Sequence, residues 1–162
     1  MIIGVTGDTH NNLKNIKTIC SIFNENRVDL VLHTGDISLP KALLAFKCLD
    51  CPLKVVLGNN DIGEEKSLRE ASKEFDCEIF KEPYSLKLLE KKISHLHHPE
   101  LIDNSMLLEF DVILHGHTHR YRLEKENNCL IFNPGECAGF LKGKNHVGLV
   151  SLKKLEAKII NF

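Results

Sequence analysis

No apolar run in the sequence comes near the ~20 residues that a membrane-crossing helix needs, so no such helix is expected. The first residues carry neither the basic stretch nor the long apolar core of a secretion signal, and the cytoplasm is the expected compartment. An excess of one charge is also missing. Against 21 Lys and Arg stand 22 Asp and Glu, for a net charge of -1, which offers no broad electrostatic surface to nucleic acid or a membrane. No internal repeat, low-complexity segment or linker interrupts the 162 residues. One domain over 1–162 with a real core is therefore expected. Cys48-Leu49-Asp50-Cys51 has the spacing of half a zinc site or a redox pair, but no second Cys-x-x-Cys exists. Free thiols are the expectation for all six cysteines.

What the chain does have is a repeated local pattern. Four times, a short apolar run ends in glycine and a side chain of the kind that binds metals. The four are Ile2-Ile3-Gly4-Val5 before Gly7-Asp8-Thr9-His10, Leu30-Val31-Leu32-His33 before Thr34-Gly35-Asp36, Val55-Val56-Leu57 before Gly58-Asn59-Asn60-Asp61, and Val112-Ile113-Leu114-His115 before Gly116-His117-Thr118-His119. In an open α/β sheet, ligands collect at the carboxyl ends of the strands.

Between the runs, Leu13, Ile16, Ile19, Cys20 and Phe23 recur at helical spacing, predicting a helix over 12–26 with Asn11 or Asn12 as its cap. Further helices are expected over 40–49, with Pro40 in the first turn, and over 64–75. Strands over 2–6, 29–33 and 53–57 alternate with these helices, which predicts a parallel sheet. Beyond residue 77 the pattern changes. A short strand at 77–80, a hairpin of 84–88 with 91–97 about Leu89-Glu90, a helix within 99–109, and strands at 111–115, 120–125, 129–132, 146–151 and 156–161 predict a β-rich, largely antiparallel half. Two sheets packed face to face with helices outside would bury this mixture. The fold class is α/β, a two-sheet sandwich flanked by helices.

The side chains at the strand ends are mixed donors. Asp8 and Asp36 offer carboxylates, Asn59 an amide oxygen, and His10, His117 and His119 imidazoles. Oxygen and nitrogen without thiolate suit Mn²⁺, Fe, Ni²⁺ or Zn²⁺ better than Ca²⁺. The donors are too many for one ion and fit two ions that share a bridging carboxylate. Two divalent cations against two carboxylates leave excess positive charge, which suits a phosphate ester and a hydroxide. Metals ~3.5–4 Å apart can clamp both ends of an in-line displacement.

Asp8-x-His10, Gly35-Asp36, Gly58-Asn59-Asn60-Asp61 and Gly116-His117-Thr118-His119 together resemble the calcineurin-like metallophosphoesterase superfamily, in particular its small phosphodiesterases of bacteria and archaea. The similarity runs from residue 2 to at least Asn133-Pro134-Gly135-Glu136. It implies a helix-flanked two-sheet fold and a small phosphate-ester substrate. It also implies two divalent ions, Mn²⁺ first with Ni, Fe or Zn as alternatives. Asp8, His10 and His119 would hold one metal, Asp36 would bridge, and Asn59, His117 and a histidine from 95–98 would hold the other. Asp36, Asn59 and His117 would take part in catalysis, in which a metal-bridging hydroxide attacks phosphorus. Asn60, Asn133 and Gly135 would lie beside the substrate phosphate. A homodimer is the expected assembly. The alternative is a non-catalytic metal-binding scaffold of the same fold.

Two departures stand out. Ile93-Ser94-His95-Leu96-His97-His98 lacks the glycine that follows the family's single histidine. Residues 93, 95 and 97 share one strand face. Counting along the strand favours His97, local similarity favours His95, and His97 is chosen with His95 as the alternate. Asn60 stands where many members carry a histidine that protonates the leaving group. An amide cannot do so, which favours good leaving groups. Asp61 is expected to orient its neighbours or simply to cap its loop. His33, His115, His146, Arg120, Lys41, Lys142, Lys144 and Cys137 are read as core or surface residues.

Overall fold

The first four strands run parallel in the computed structural model, which describes Met1–Phe162. They are β1 (Ile2–Thr6), β2 (Leu30–His33), β3 (Leu53–Val56) and β4 (Cys77–Phe80). The helices between them are α1 (Leu13–Glu25), α2 (Pro40–Leu44) and α3 (Glu65–Ser72). Helix α1 begins where the Asn12 side chain accepts the Asn15 N–H, and it buries Ile16, Ile19, Cys20 and Phe23 on one face. The helix expected over 40–49 tightens after Leu44 into a 3₁₀ turn, Ala45–Cys48. Such a turn closes the last carbonyls at a helix end. Likewise α3 is preceded by a 3₁₀ turn, Asn59–Glu64, which holds the third motif.

A second sheet follows: β5 (Tyr84–Leu88), β6 (Lys91–His95), β7 (Val112–Leu114), β8 (Arg122–Glu126) and β9 (Cys129–Asn133), with α4 (Asn104–Glu109) between β6 and β7. Its order is β5-β6-β7-β9-β8. The last two strands, β10 (His146–Ser151) and β11 (Glu156–Asn161), return to the first sheet, whose order is β11-β10-β1-β2-β3-β4.

Antiparallel pairing predominates among β5–β11, as expected, but not at the centre of the second sheet. Hairpins make β5–β6 and β8–β9 antiparallel, but β6, β7 and β9 at the centre run parallel. The stretch that contains α4 provides the long crossover that a parallel neighbour requires.

The sheets pack face to face. Ile3, Val5, Leu30 and Leu32 of the first meet Ile93, Val112, Leu114 and Phe132 of the second in one buried cluster. Each such side chain contributes roughly 1.5–3 kcal/mol on burial. On the outer side of the first sheet, Phe23, Leu43, Phe46 and Leu68 from the helical segments cover Val31 and Val55. On that of the second, Leu107 of α4 covers Ile113 and Ile131. Gly4 lets the α1 layer approach: a Cβ there would lie 2.9 Å from the Phe23 ring. Because β1, β2, β3, β6, β7 and β9 are fixed in these two sheets, the segments that follow them carry every motif.

Candidate metal centre

Strand register brings the motif loops together. Thr6 pairs with His33 across β1 and β2. Just beyond, Asp8 N–H donates to Gly35 O at 2.9 Å and His10 N–H to Asp36 O at 3.1 Å. In the second sheet, Leu96 N–H donates to Leu114 O at 3.0 Å and Gly116 N–H to His97 O at 3.1 Å. The two pairs of loops then meet at one edge of the sandwich.

Two groups of donors result. In the first, His10 Nε2 lies 3.3 Å from His119 Nε2 and 3.5 Å from Asp36 Oδ2, and His119 Nε2 lies 3.6 Å from Asp8 Oδ1. In the second, Asn59 Oδ1 lies 3.1 Å from both His97 Nε2 and His117 Nδ1, which are 3.3 Å apart. His97 Nε2 is also 3.6 Å from Asp36 Oδ2. One carboxylate oxygen of Asp36 therefore stands between the two groups.

Such crowding of lone-pair donors fits a cation. The ionisable partners of Asp8 and Asp36 are histidines, and no lysine or arginine pairs with either. Burial, reinforced by the Asp36 charge, pushes the Asp8 carboxyl up to about 8. Burial also lowers His10 and His97, in each case partly offset by Asp36. Neutral imidazole is the form that binds metal. Three sets, Asp8–His10–His119, Asp8–Asp36–His97 and His97–His98–His117, each have ligand atoms within 4.8 Å of one another. The residues present thus fit a pair of divalent cations.

Surrounding groups fix these side chains. His97 Nδ1 lies 2.7 Å from Thr34 O. A carbonyl only accepts, so Nδ1 carries the proton and Nε2 presents its lone pair to the site. Glu82 accepts the N–H groups of His97 and His98 at 2.6 and 2.9 Å and also meets His98 Nδ1. Burial raises Glu82, but its bonds from His98 and His97 outweigh this and leave it lowered. Asp61 accepts from Asp36 N–H and Gly58 N–H, both at 2.8 Å, and from Ser38 N–H at 2.7 Å. The two roles expected of Asp61, orienting and capping, are one arrangement. Asp8, His10, Asp36, His117 and His119 all have positive φ, from 38° to 67°. Left-handed backbone at non-glycine residues is strained and collects at functional sites.

The structure separates the two alternate histidines. Strand β6 stops at His95, so the alternation that placed 95 and 97 on one face does not continue. His97 joins the donors. His95 is in none of the three sets; it is buried, and neither ring nitrogen has a partner. Burial lowers it to about 3. His98, at the position where a glycine was expected, has φ −86°, which any residue adopts.

Asn60 turns its amide to Asp36, with Nδ2 at 2.7 Å from Oδ2 and its N–H at 2.9 Å from Oδ1. Asn133 and Gly135 bond within their own turn and to the next motif. Gly135 N–H donates to Asn133 Oδ1 at 2.8 Å, and Asn133 Nδ2 donates to Gly116 O at 3.1 Å. These groups bind one another and brace the loop of His117. His33 bonds Thr9 Oγ1 at 3.1 Å and meets Phe46 edge-on, as a core histidine does. Cys137 is buried, with its Sγ donating to His146 O at 3.0 Å.

Sequence reading assigned no role to Glu136, Glu82 or Thr34. Glu136 is fully buried, and its Oε2 lies 3.6 Å from His119 Nδ1. It sits in the Asn-Pro-Gly-Glu turn, which was a usable signal. Glu82 lies in no motif, and only the tertiary fold reveals it.

A family model described as the calcineurin-like phosphoesterase superfamily domain matches residues 1–155. A phosphodiesterase of Methanocaldococcus jannaschii is 34% identical over 164 aligned positions, 99% of this chain and 98% of that protein. The solved structure of an archaeal phosphodiesterase has a TM-score of 0.90 at 32% identity, covering 100% of both chains. Zinc-complexed Vps29 from Entamoeba histolytica shares the fold, with a TM-score of 0.68 at 18% identity over 99% of each chain.

Proposed function

The chain belongs to the calcineurin-like phosphoesterase superfamily, and on that premise we propose that it is a phosphodiesterase working with two divalent cations. Asp8, His10 and His119 would hold one cation, Asn59, His97 and His117 the other, and Asp36 both. The carrying observation is the Asp36 Oδ2 atom, 3.5 Å from a nitrogen of one group and 3.6 Å from a nitrogen of the other. When bound, such a pair supplies Lewis acidity, which activates water near neutral pH and offsets charge on the phosphoryl oxygens.

The protein's own part is placement. Asn60 and Asp61 hold Asp36 from two sides, and Thr34 O sets the His97 tautomer. Asn60 has its amide on Asp36 and no acidic proton to give, so esters of acidic alcohols are favoured. A diester reading is supported by the phosphodiesterase relatives that span the whole chain. Mn²⁺ is the first choice for the mixed oxygen and nitrogen donors, ahead of Ni, Fe and Zn. Six free thiols suit a reducing compartment such as the cytoplasm. The homodimer expected from the family is checked by light scattering.

The test is hydrolysis of bis(4-nitrophenyl) phosphate by protein stripped of metal and given back Mn²⁺, Ni²⁺ or Zn²⁺, with 4-nitrophenyl phosphate alongside. Metal-restored turnover of the diester is expected, with kcat falling roughly 10³-fold in Asp36→Ala. Two bound ions without turnover of either ester would favour the scaffold instead.

A further inference from the structure

Phe140 is 66% exposed, beside two histidines of the donor cluster. Its ring stacks on that of His119, with centroids 5.8 Å apart at 6°, and leans on His10 at 5.4 Å and 35°. The loop that carries it is anchored at its base. Asn12 and Asn15 donate to Ala138 O and Cys137 O, each at 2.8 Å. The buried Glu136 carboxylate accepts from Phe140 N–H at 3.3 Å and Leu141 N–H at 2.6 Å. Gly139 turns the chain at φ +79°. An apolar ring is therefore held at the rim of a polar cluster with most of its surface uncovered.

The other side of the cluster differs. Beside Asn59 and His98 lies a cavity of about 300 Å³ that also takes in Lys81, Glu82 and Glu65. A diester with its phosphorus between the two donor groups has one flank that is aromatic and one that is charged. Resting on the phosphodiesterase reading above, we propose that Phe140 is the specificity-determining wall of the substrate site. A flat ester group, an aryl ring or nucleobase, packs on it while the phosphate sits over the donors. Aromatic pairs prefer such offset or tilted packing and gain from it beyond the buried area.

The experiment measures competitive inhibition of metal-loaded enzyme by phenylphosphonate and methylphosphonate, against bis(4-nitrophenyl) phosphate. Wild type is expected to bind the phenyl compound more tightly. Phe140→Ala should cut that preference roughly 3- to 10-fold, Phe140→Trp should keep it, and metal per chain should be unchanged in both. An unchanged preference in Phe140→Ala overturns the proposal. So does loss of metal in that variant, because Phe140 would then act only as packing for His119. A wild type that hydrolyses no ester counts against the phosphodiesterase reading and carries this proposal down with it, an outcome distinct from an active enzyme indifferent to Phe140.

Discussion

The two sheets bring different chemistry to the same edge. Loops after β1, β2 and β3 present the oxygen donors Asp8, Asp36 and Asn59, with His10 as the one imidazole. Segments after β6 and β7 present only imidazoles, His97, His117 and His119. Each side is oriented by the other. His117 N–H from the second sheet reaches Asp8 Oδ2 at 3.1 Å, and Thr34 O from the first receives His97 Nδ1. The centre is thus a product of sheet docking, and neither sheet holds a complete donor set. The buried cluster of Ile3, Val5, Leu32, Ile93 and Phe132 that joins the sheets also sets the spacing of the site.

The sharpest break in this comparison falls on the imidazole side. His97→Ala should weaken divalent-metal binding by at least ~100-fold, beyond what loss of an outer partner costs. His95→Phe, two residues away, should leave it unchanged, since the His95 ring has no partner and stands outside the donor sets. Metal titration calorimetry on the two variants checks both. Equal losses would show that β6 presents its histidines otherwise.

On the oxygen side the next effect is on stability. The Asp8 pKa is raised from 3.8 to about 8 by burial and by Asp36. Folded metal-free protein then holds this proton more tightly than the unfolded chain does. Stability from this group is therefore full below pH 3.8 and is lost as pH rises toward 8. Asp8→Asn removes the charge, so the metal-free variant should melt on the order of 5 °C above wild type at pH 8. At pH 4 the difference should shrink toward zero. Thermal melts in chelator at both pH values test this. The same variant should bind metal poorly, the usual exchange of stability against function at a strained site.

Glu136→Gln should give the smallest change, about a 10-fold loss of metal affinity through a less well held His119. The amide oxygen replaces the acceptor of Leu141 N–H, while the amide NH2 faces the longer Phe140 N–H contact, so a small fall in melting temperature should accompany it.

Much of this was readable along the chain because strand, glycine and ligand are adjacent in sequence. Four apolar runs located β1, β2, β3 and β7 with their donors, and strand counting chose His97 over His95. The parallel centre of the second sheet was missed, although Val112-Ile113-Leu114 and Leu130-Ile131-Phe132 are unbroken apolar runs of the kind parallel strands show. Glu82 braces residues 15 and 16 positions away, and Glu136 meets a histidine on another loop. Contacts of this kind leave no local period or spacing to read. The strand expected over 91–97 ends at His95, and the helix expected over 40–49 passes into a 3₁₀ turn after Leu44.

Crystals grown with Mn²⁺ and measured for anomalous scattering would decide the matter most directly. Two peaks are predicted, one between Asp8, His10, His119 and Asp36, the other between Asp36, Asn59, His97 and His117. A single peak with Asp36 bound to one ion only, or density at His95, would contradict a bridged pair assembled from the two sheets.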